Sequence, residues 1–412
     1  MLKKMSIFAL YVIAITVTAA EPVRKTITTT DGLNREYMLY MPQTAGNEKP
    51  AGIIVALHGY NSSMNTFFSS YSITTVADAL NFIVVSPQAL PEQNNDTKEK
   101  VEQVNALTGN KLTLDAVWGC GLAVKATFKL LGVTFTFIDN ELNRNVDDVD
   151  FIRIVIEKTL ADYDMSSANI FLTGTSMGGY MAYRYALKMP IRIAGLISIT
   201  GSMGTRLTGE MNRLNKTPIC DFHSIDDEVV PYNGTYKDGG FDITLALKMS
   251  DVIDYWVKTN GAGNAITETV DYYPSTRGFT AEKITYPATA NGNEVIHYKM
   301  TGAHHSDFLR KETDCMDYLE EIIKFINAHA ITDTNGNKPA PSNALIAPNP
   351  AYGTVKFNVN DGIAEFYDLS GRKALTINIE NSLGDVSPLK PGVYAVRIIS
   401  SGKIFTSKLI KR

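Results

Sequence analysis

The chain has 412 residues, of which 44% are hydrophobic and 20% charged, so it has material for a large core and no composition for global disorder. Its formal net charge of -4, from 39 basic and 43 acidic residues, excludes the cationic footprint that nucleic-acid binding needs. Three cysteines, Cys120, Cys220 and Cys315, are too few for a disulfide scaffold and lack metal-type spacing, so the core must come from packing and no metal or organic cofactor is expected.

The first element is a leader. Lys3 and Lys4 precede an apolar run over 7–17 and the small residues Thr18, Ala19 and Ala20, which predicts a signal peptide over 1–20. The run is shorter than the roughly 20 apolar residues of a membrane span, and no later stretch reaches that length. No transmembrane span is therefore expected in the mature protein. Over 21–330, short apolar runs at 53–57, 82–85, 170–172 and 193–199 alternate with longer amphipathic segments. That pattern predicts a mostly parallel sheet flanked by helices, because strands buried on both faces read as continuous apolar runs. Helices are expected over 150–160 and 315–329, and a late strand over 294–300. Residues 88–146 break the alternation and read either as a lid or pocket wall or as an ordinary surface insertion. Residues 331–343 form a linker rich in Asn, Gly and Pro. After it, about five short alternating runs over 344–412 predict a small antiparallel β-sandwich with no evident chemistry.

A serine hydroxyl becomes a useful nucleophile only beside an imidazole whose tautomer a third group holds. Gly174-Thr175-Ser176-Met177-Gly178 places Ser176 in a G-x-S-x-G turn between the strand at 170–172 and a helical run over 180–187. The acid should follow on a later strand end, where Asp226 and Asp227 are adjacent. The base should come last, where Thr301-Gly302-Ala303 leads into His304 and His305, only one of which can face the serine. Backbone N–H groups of Met177 and of Tyr60, in the loop His58-Gly59-Tyr60-Asn61, are the candidate oxyanion donors.

With those residues in place, 21–330 resembles the polyhydroxybutyrate depolymerase, feruloyl esterase and acetyl xylan esterase group of α/β-hydrolases. The matching runs are His58-Gly59, Val146-Asp147-Asp148-Val149-Asp150-Phe151-Ile152, Gly174 to Gly179, the run from His223 to Tyr232, and Gly302-Ala303-His304. The resemblance implies an α/β-hydrolase fold, selects Asp227 as the acid and His304 as the base, and implies a Ser176-His304-Asp227 esterase working through an acyl-enzyme. Where depolymerases of the group carry Thr-Trp-Pro after the base, this chain has His305-Ser306-Asp307. The last part resembles a C-terminal sorting domain of the type IX secretion route, through Pro348-Asn349-Pro350, Tyr367 to Arg372, Leu389 to Tyr394 and the basic tail Lys408 to Arg412. It implies the secretion machinery as a partner and a secreted or cell-surface protein. An extracellular carbohydrate-linked ester, acetyl or feruloyl, is then the expected substrate; a polyhydroxyalkanoate depolymerase, a serine peptidase and a surface binding protein with an inactive hydrolase domain are the rival readings.

Overall fold

The computed structural model describes residues 21–43, 49–108, 111, 113–130, 133–165, 169–211, 215–238, 241–331, 346–347, 351–357, 359–368, 372–400 and 403–412. The predicted signal peptide, nearly all of the predicted linker, and Pro348-Asn349-Pro350 lie outside these residues. The chain divides into a first unit, 1–165 with 170–329, and a second, 166–169 with 330–412.

The first unit is built on strands β1 (Val23–Thr28), β2 (Asn34–Tyr40), β3 (Gly52–Leu57), β4 (Phe82–Pro87), β5 (Ala123–Leu130), β6 (Val133–Glu141), β7 (Ile170–Thr175), β8 (Gly195–Ile199), β9 (Ile219–Ser224), β10 (Thr235–Asp238), β11 (Phe241–Thr244), β12 (Ile266–Val270), β13 (Thr280–Tyr286) and β14 (Val295–Thr301). Its helices are α1 (Thr66–Ser69), α2 (Ile73–Leu80), α3 (Asn95–Thr108), α4 (Asp148–Asp162), α5 (Met177–Lys188), α6 (Met249–Asn260) and α7 (Tyr318–His329). Ten strands form one sheet in the order β1-β2-β4-β3-β7-β8-β9-β14-β13-β12. From β4 to β14 every pairing is parallel, while β1, β2, β12 and β13 close the two edges as antiparallel strands.

Burial explains the sequence pattern. Every residue of β3, β4, β7, β8 and β9 is buried, because helices cover both faces; β3, β4, β8 and the first half of β7 are the continuous apolar runs, whereas β9 carries the buried polar residues Asp221, His223 and Ser224. The edge strand β1 instead alternates, with its outward residues exposed. The order of connection reverses at β3: the chain passes first to β4 on one side and later to β7 on the other. A crevice opens at the carboxyl ends of strands at such a switch point. The architecture is that of an α/β-hydrolase.

One departure from the sequence expectations has a local cause. Helix α7 begins at Tyr318 rather than Cys315, because the Asp317 carboxylate accepts the N–H groups of Leu319 at 2.8 Å and Glu320 at 3.3 Å and so caps it. Residues 88–146 contain α3 and the hairpin β5–β6, which joins β10 and β11 in a separate four-stranded antiparallel sheet. All three cysteines are free and buried.

The second unit contains β15 (Ile346–Ala347), β16 (Thr354–Phe357), β17 (Gly362–Tyr367), β18 (Lys373–Ile379), β19 (Leu383–Asp385), β20 (Gly392–Ser400) and β21 (Lys403–Lys411). Seven strands are described rather than about five. They make two antiparallel sheets, β15-β16-β19 and β18-β17-β20-β21. Val355, Phe357, Ala364, Phe366, Val396 and Ile398 alternate inward from both sheets into one apolar cluster, which gives the sandwich its core.

Candidate active site

Four strand ends converge at the switch point. The turn after β7 carries Ser176, at φ 53° and ψ -124°, a backbone conformation that a non-glycine residue adopts only under constraint. The neighbouring glycines explain how the turn is held. A Cβ at Gly178 would lie 1.9 Å from the Leu57 carbonyl oxygen, and one at Gly174 would lie 2.2 Å from the Gly178 carbonyl oxygen. No side chain fits at either place, so the turn packs directly against the end of β3. Ser176 donates its own N–H to the Ile199 carbonyl at 2.9 Å, and α5 starts at the next residue. Met177 is therefore the first residue of a helix, where a backbone N–H has no intrahelical acceptor.

The loop after β3 lies over the serine: a Cβ on Gly59 would be 3.3 Å from Ser176 Cβ and 3.8 Å from its Oγ. The middle of the 88–146 excursion braces this loop. Buried Trp118 donates its indole N–H to the His58 carbonyl at 2.8 Å, and Asn61 donates its N–H to the Ala116 carbonyl at 2.9 Å. The Asn61 side chain also accepts the Asp115 N–H and donates to the Thr113 carbonyl, whose oxygen receives the Tyr60 hydroxyl as well. Residues 113–118 thus hold this loop in place through hydrogen bonds.

The His58 ring is fully buried and takes no part in the serine's hydrogen-bond chain. Its Nε2 accepts the Ala89 N–H at 3.1 Å, which leaves the proton on Nδ1 to be donated to the Gly59 carbonyl at 2.8 Å. Burial pushes this imidazole down to about 4, so it is a neutral strut.

Asp227 follows β9, and its carboxylate is inaccessible to solvent. Oδ1 accepts the N–H groups of Val229 at 2.9 Å and Val230 at 2.7 Å, which fix the side chain. His305 donates from Nδ1 to Asp227 Oδ2 at 2.8 Å, and its Nε2 receives the Ser176 hydroxyl at 2.9 Å. Ser176, His305 and Asp227 therefore form one continuous chain of hydrogen bonds.

This corrects the expectation that His304 faces the serine. The His304 ring is 66% exposed and lies 3.3 Å from Glu228 Oε2 on the surface. The physical reason is the set of backbone tethers on the loop after β14. Gly302 donates its N–H to Asp226 Oδ2 at 2.7 Å, and His304 donates its own to Asp307 Oδ2 at 2.7 Å. Gly302 at φ 87° turns the chain, and successive side chains then point to opposite sides, so the inward position falls to the second histidine. The tethers also separate the two aspartates: Asp226 holds the loop and Asp227 meets the imidazole. The resemblance placed the base one residue early, and only the turn geometry distinguishes adjacent histidines.

Among the described residues, no cluster of His, Cys, Asp and Glu could hold a metal ion, and no helix is long and apolar enough to cross a membrane.

The fold is that of an α/β-hydrolase, with Ser176 in the tight turn between β7 and α5. Residues 124–251 match the phospholipase/carboxylesterase family, and residues 345–412 match the secretion system C-terminal sorting domain, here of the type IX route, which indicates secretion and the cell surface. A bifunctional acetylxylan esterase/xylanase of Neocallimastix patriciarum is 21% identical over 290 residues, covering 70% of this chain and 34% of its own. The chain thus spans about a third of the length of that curated relative. Among solved structures, an acetyl xylan esterase from Aspergillus awamori is similar at 13% identity and a TM-score of 0.45, covering 74% of this chain and 99% of its own. An S-formylglutathione hydrolase from Agrobacterium tumefaciens is similar at 11% identity and a TM-score of 0.46, covering 77% and 98%.

Proposed function

We propose that the chain is a secreted serine carboxylic ester hydrolase in which Ser176 is the nucleophile, His305 the base and Asp227 the residue that orients it. The observation that carries this reading is the single hydrogen-bonded path from Ser176 Oγ through His305 to Asp227. His305 Nε2 takes the hydroxyl proton as Ser176 attacks the ester carbonyl, and Asp227 stabilises the imidazolium that results. The Tyr60 and Met177 N–H groups receive the developing oxyanion. The imidazolium then protonates the leaving alcohol, and water, activated by His305 in turn, releases the acid from the acyl-enzyme.

The substrate class in this reading is a carbohydrate-linked acetyl or feruloyl ester outside the cell. Its support is the sorting domain, which sends the chain to where polysaccharides are, and the acetylxylan esterase activity named for the relative of Neocallimastix patriciarum. In the same reading residues 1–20 direct export and are removed, and the C-terminal domain engages the secretion machinery.

The test is hydrolysis of acetyl-xylan, feruloyl, hydroxyalkanoate and p-nitrophenyl esters beside peptide anilides, with Ser176→Ala as control. The expected result is ester turnover, labelling of Ser176 by a fluorophosphonate, and loss of both in the variant. Activity retained by Ser176→Ala, or efficient amide cleavage with negligible ester cleavage, would overturn the reading.

A further inference from the structure

Behind Asp227 stands a second histidine that the hydrogen-bonded path does not use. His223, on β9, is completely buried. Its Nδ1 lies 3.0 Å from the Gly201 carbonyl oxygen and its Nε2 lies 2.8 Å from the Val230 carbonyl oxygen. Both partners are acceptors only, and a neutral imidazole has one N–H to give. In either neutral tautomer, one ring nitrogen would set its lone pair against a carbonyl lone pair at hydrogen-bond distance. Flipping the ring does not help, because it exchanges the nitrogens for carbons and leaves two buried carbonyls without donors.

The charge around it points the same way. Asp227 Oδ2 lies 3.6 Å from His223 Nε2, and both side chains are inaccessible to solvent. A buried carboxylate is costly unless a cation compensates it. The other groups that face His223 do not supply one. Tyr232 meets the ring edge-on at 5.8 Å between centroids. Tyr180 is buried close to Asp227, where burial and that carboxylate both hold its hydroxyl protonated. Asp221, two residues back on β9, is already engaged by His297 Nδ1 at 2.9 Å and the Tyr183 hydroxyl at 3.0 Å. Glu228 is at the surface with His304. His305, across Asp227, is the base and is neutral in the resting enzyme under the proposed mechanism.

We propose that His223 is held as an imidazolium by the Gly201 and Val230 carbonyls and is the positioning residue that keeps Asp227 an ionised acceptor for His305. The protonation state stands independently of the proposed function; its kinetic consequence rests on Ser176, His305 and Asp227 acting as described there. With His223 charged, the resting site is neutral overall, and the cation's field opposes premature protonation of His305 from solvent. Without it, Asp227 draws a proton onto His305, and the base is lost at a higher pH.

Two measurements test this. In the full chain with 15N-labelled histidine, the His223 ring signals are assigned by their loss in His223→Gln and read at pH 7. The expected result is that both ring nitrogens carry protons; a His223 with one unprotonated nitrogen overturns the proposal. Separately, the pH profile of kcat/KM for ester hydrolysis is compared between wild type and His223→Gln, which can donate to a carbonyl but carries no charge. The acid limb is expected to move upward by roughly one pH unit. A uniform loss of activity with an unmoved limb would assign His223 a packing role only and overturn its action through charge.

Discussion

Replacing His305 by alanine should abolish hydrolysis while replacing its neighbour His304 does almost nothing. His305 Nε2 is 2.9 Å from Ser176 Oγ, and no other imidazole meets that hydroxyl. Under the proposed mechanism its loss removes the proton acceptor for attack and the proton donor for departure of the alcohol. The oxyanion donors and binding interactions remain, so the expected loss in kcat is about 10⁴- to 10⁶-fold, or about 5–8 kcal/mol of transition-state stabilisation. The His304 ring makes one exposed contact with Glu228. Such pairs are worth about 0–1 kcal/mol, so His304→Ala should stay within about fivefold of wild type. The assay is p-nitrophenyl acetate hydrolysis by both variants, with thermal unfolding recorded to establish that each is folded. Collapse of activity in His304→Ala with retention in His305→Ala would refute the assignment and restore the base expected from the resemblance.

Two further predictions concern the framework. His58 is held neutral in the fold by burial but binds a proton in the unfolded chain below about pH 6.5. The unfolded state therefore binds more protons between pH 6.5 and about 4, and the stability that His58 contributes is lost as pH falls through that window, by about 3 kcal/mol. Urea midpoints at pH 7 and pH 4.5 should show a smaller acid loss in His58→Gln than in wild type, and an equal loss in both would count against it. Arg35 and Asp148 form a buried ion pair at 2.6 Å, with Asp148 also accepting the Gly119 N–H at 2.7 Å beside the loop's support. Arg35→Met should cost about 3–5 kcal/mol by leaving the carboxylate uncompensated, and adding Asp148→Asn should recover part of it. A double variant no more stable than the single one would contradict this.

Much of the molecule was legible before folding. The buried strands at 53–57 and 170–172 announced themselves because strands covered on both faces read as apolar runs, whereas β9, equally buried, did not, because it carries Asp221 and His223. Ser176 was legible because its turn demands glycines at 174 and 178, where a Cβ would strike backbone. The chain order of serine, acid and histidine followed from the same connectivity. Edge strands such as β1 and β12 were not legible, since partly exposed strands carry mixed residues and take their pairing from distant neighbours.

What sequence alone could not decide was which of two adjacent residues faces inward. Asp226 or Asp227, and His304 or His305, are equivalent as chemistry and differ by one step along the chain. The choice depends on where Gly302 turns and on which N–H groups Asp226 and Asp307 anchor, and Asp226 reaches Gly302 from the end of a different strand. The charge of His223 belongs to the same class of question. A histidine's donors are its own, but the two carbonyls that demand both of them come from Gly201 and Val230, brought together only by the packing of β9 against its neighbours.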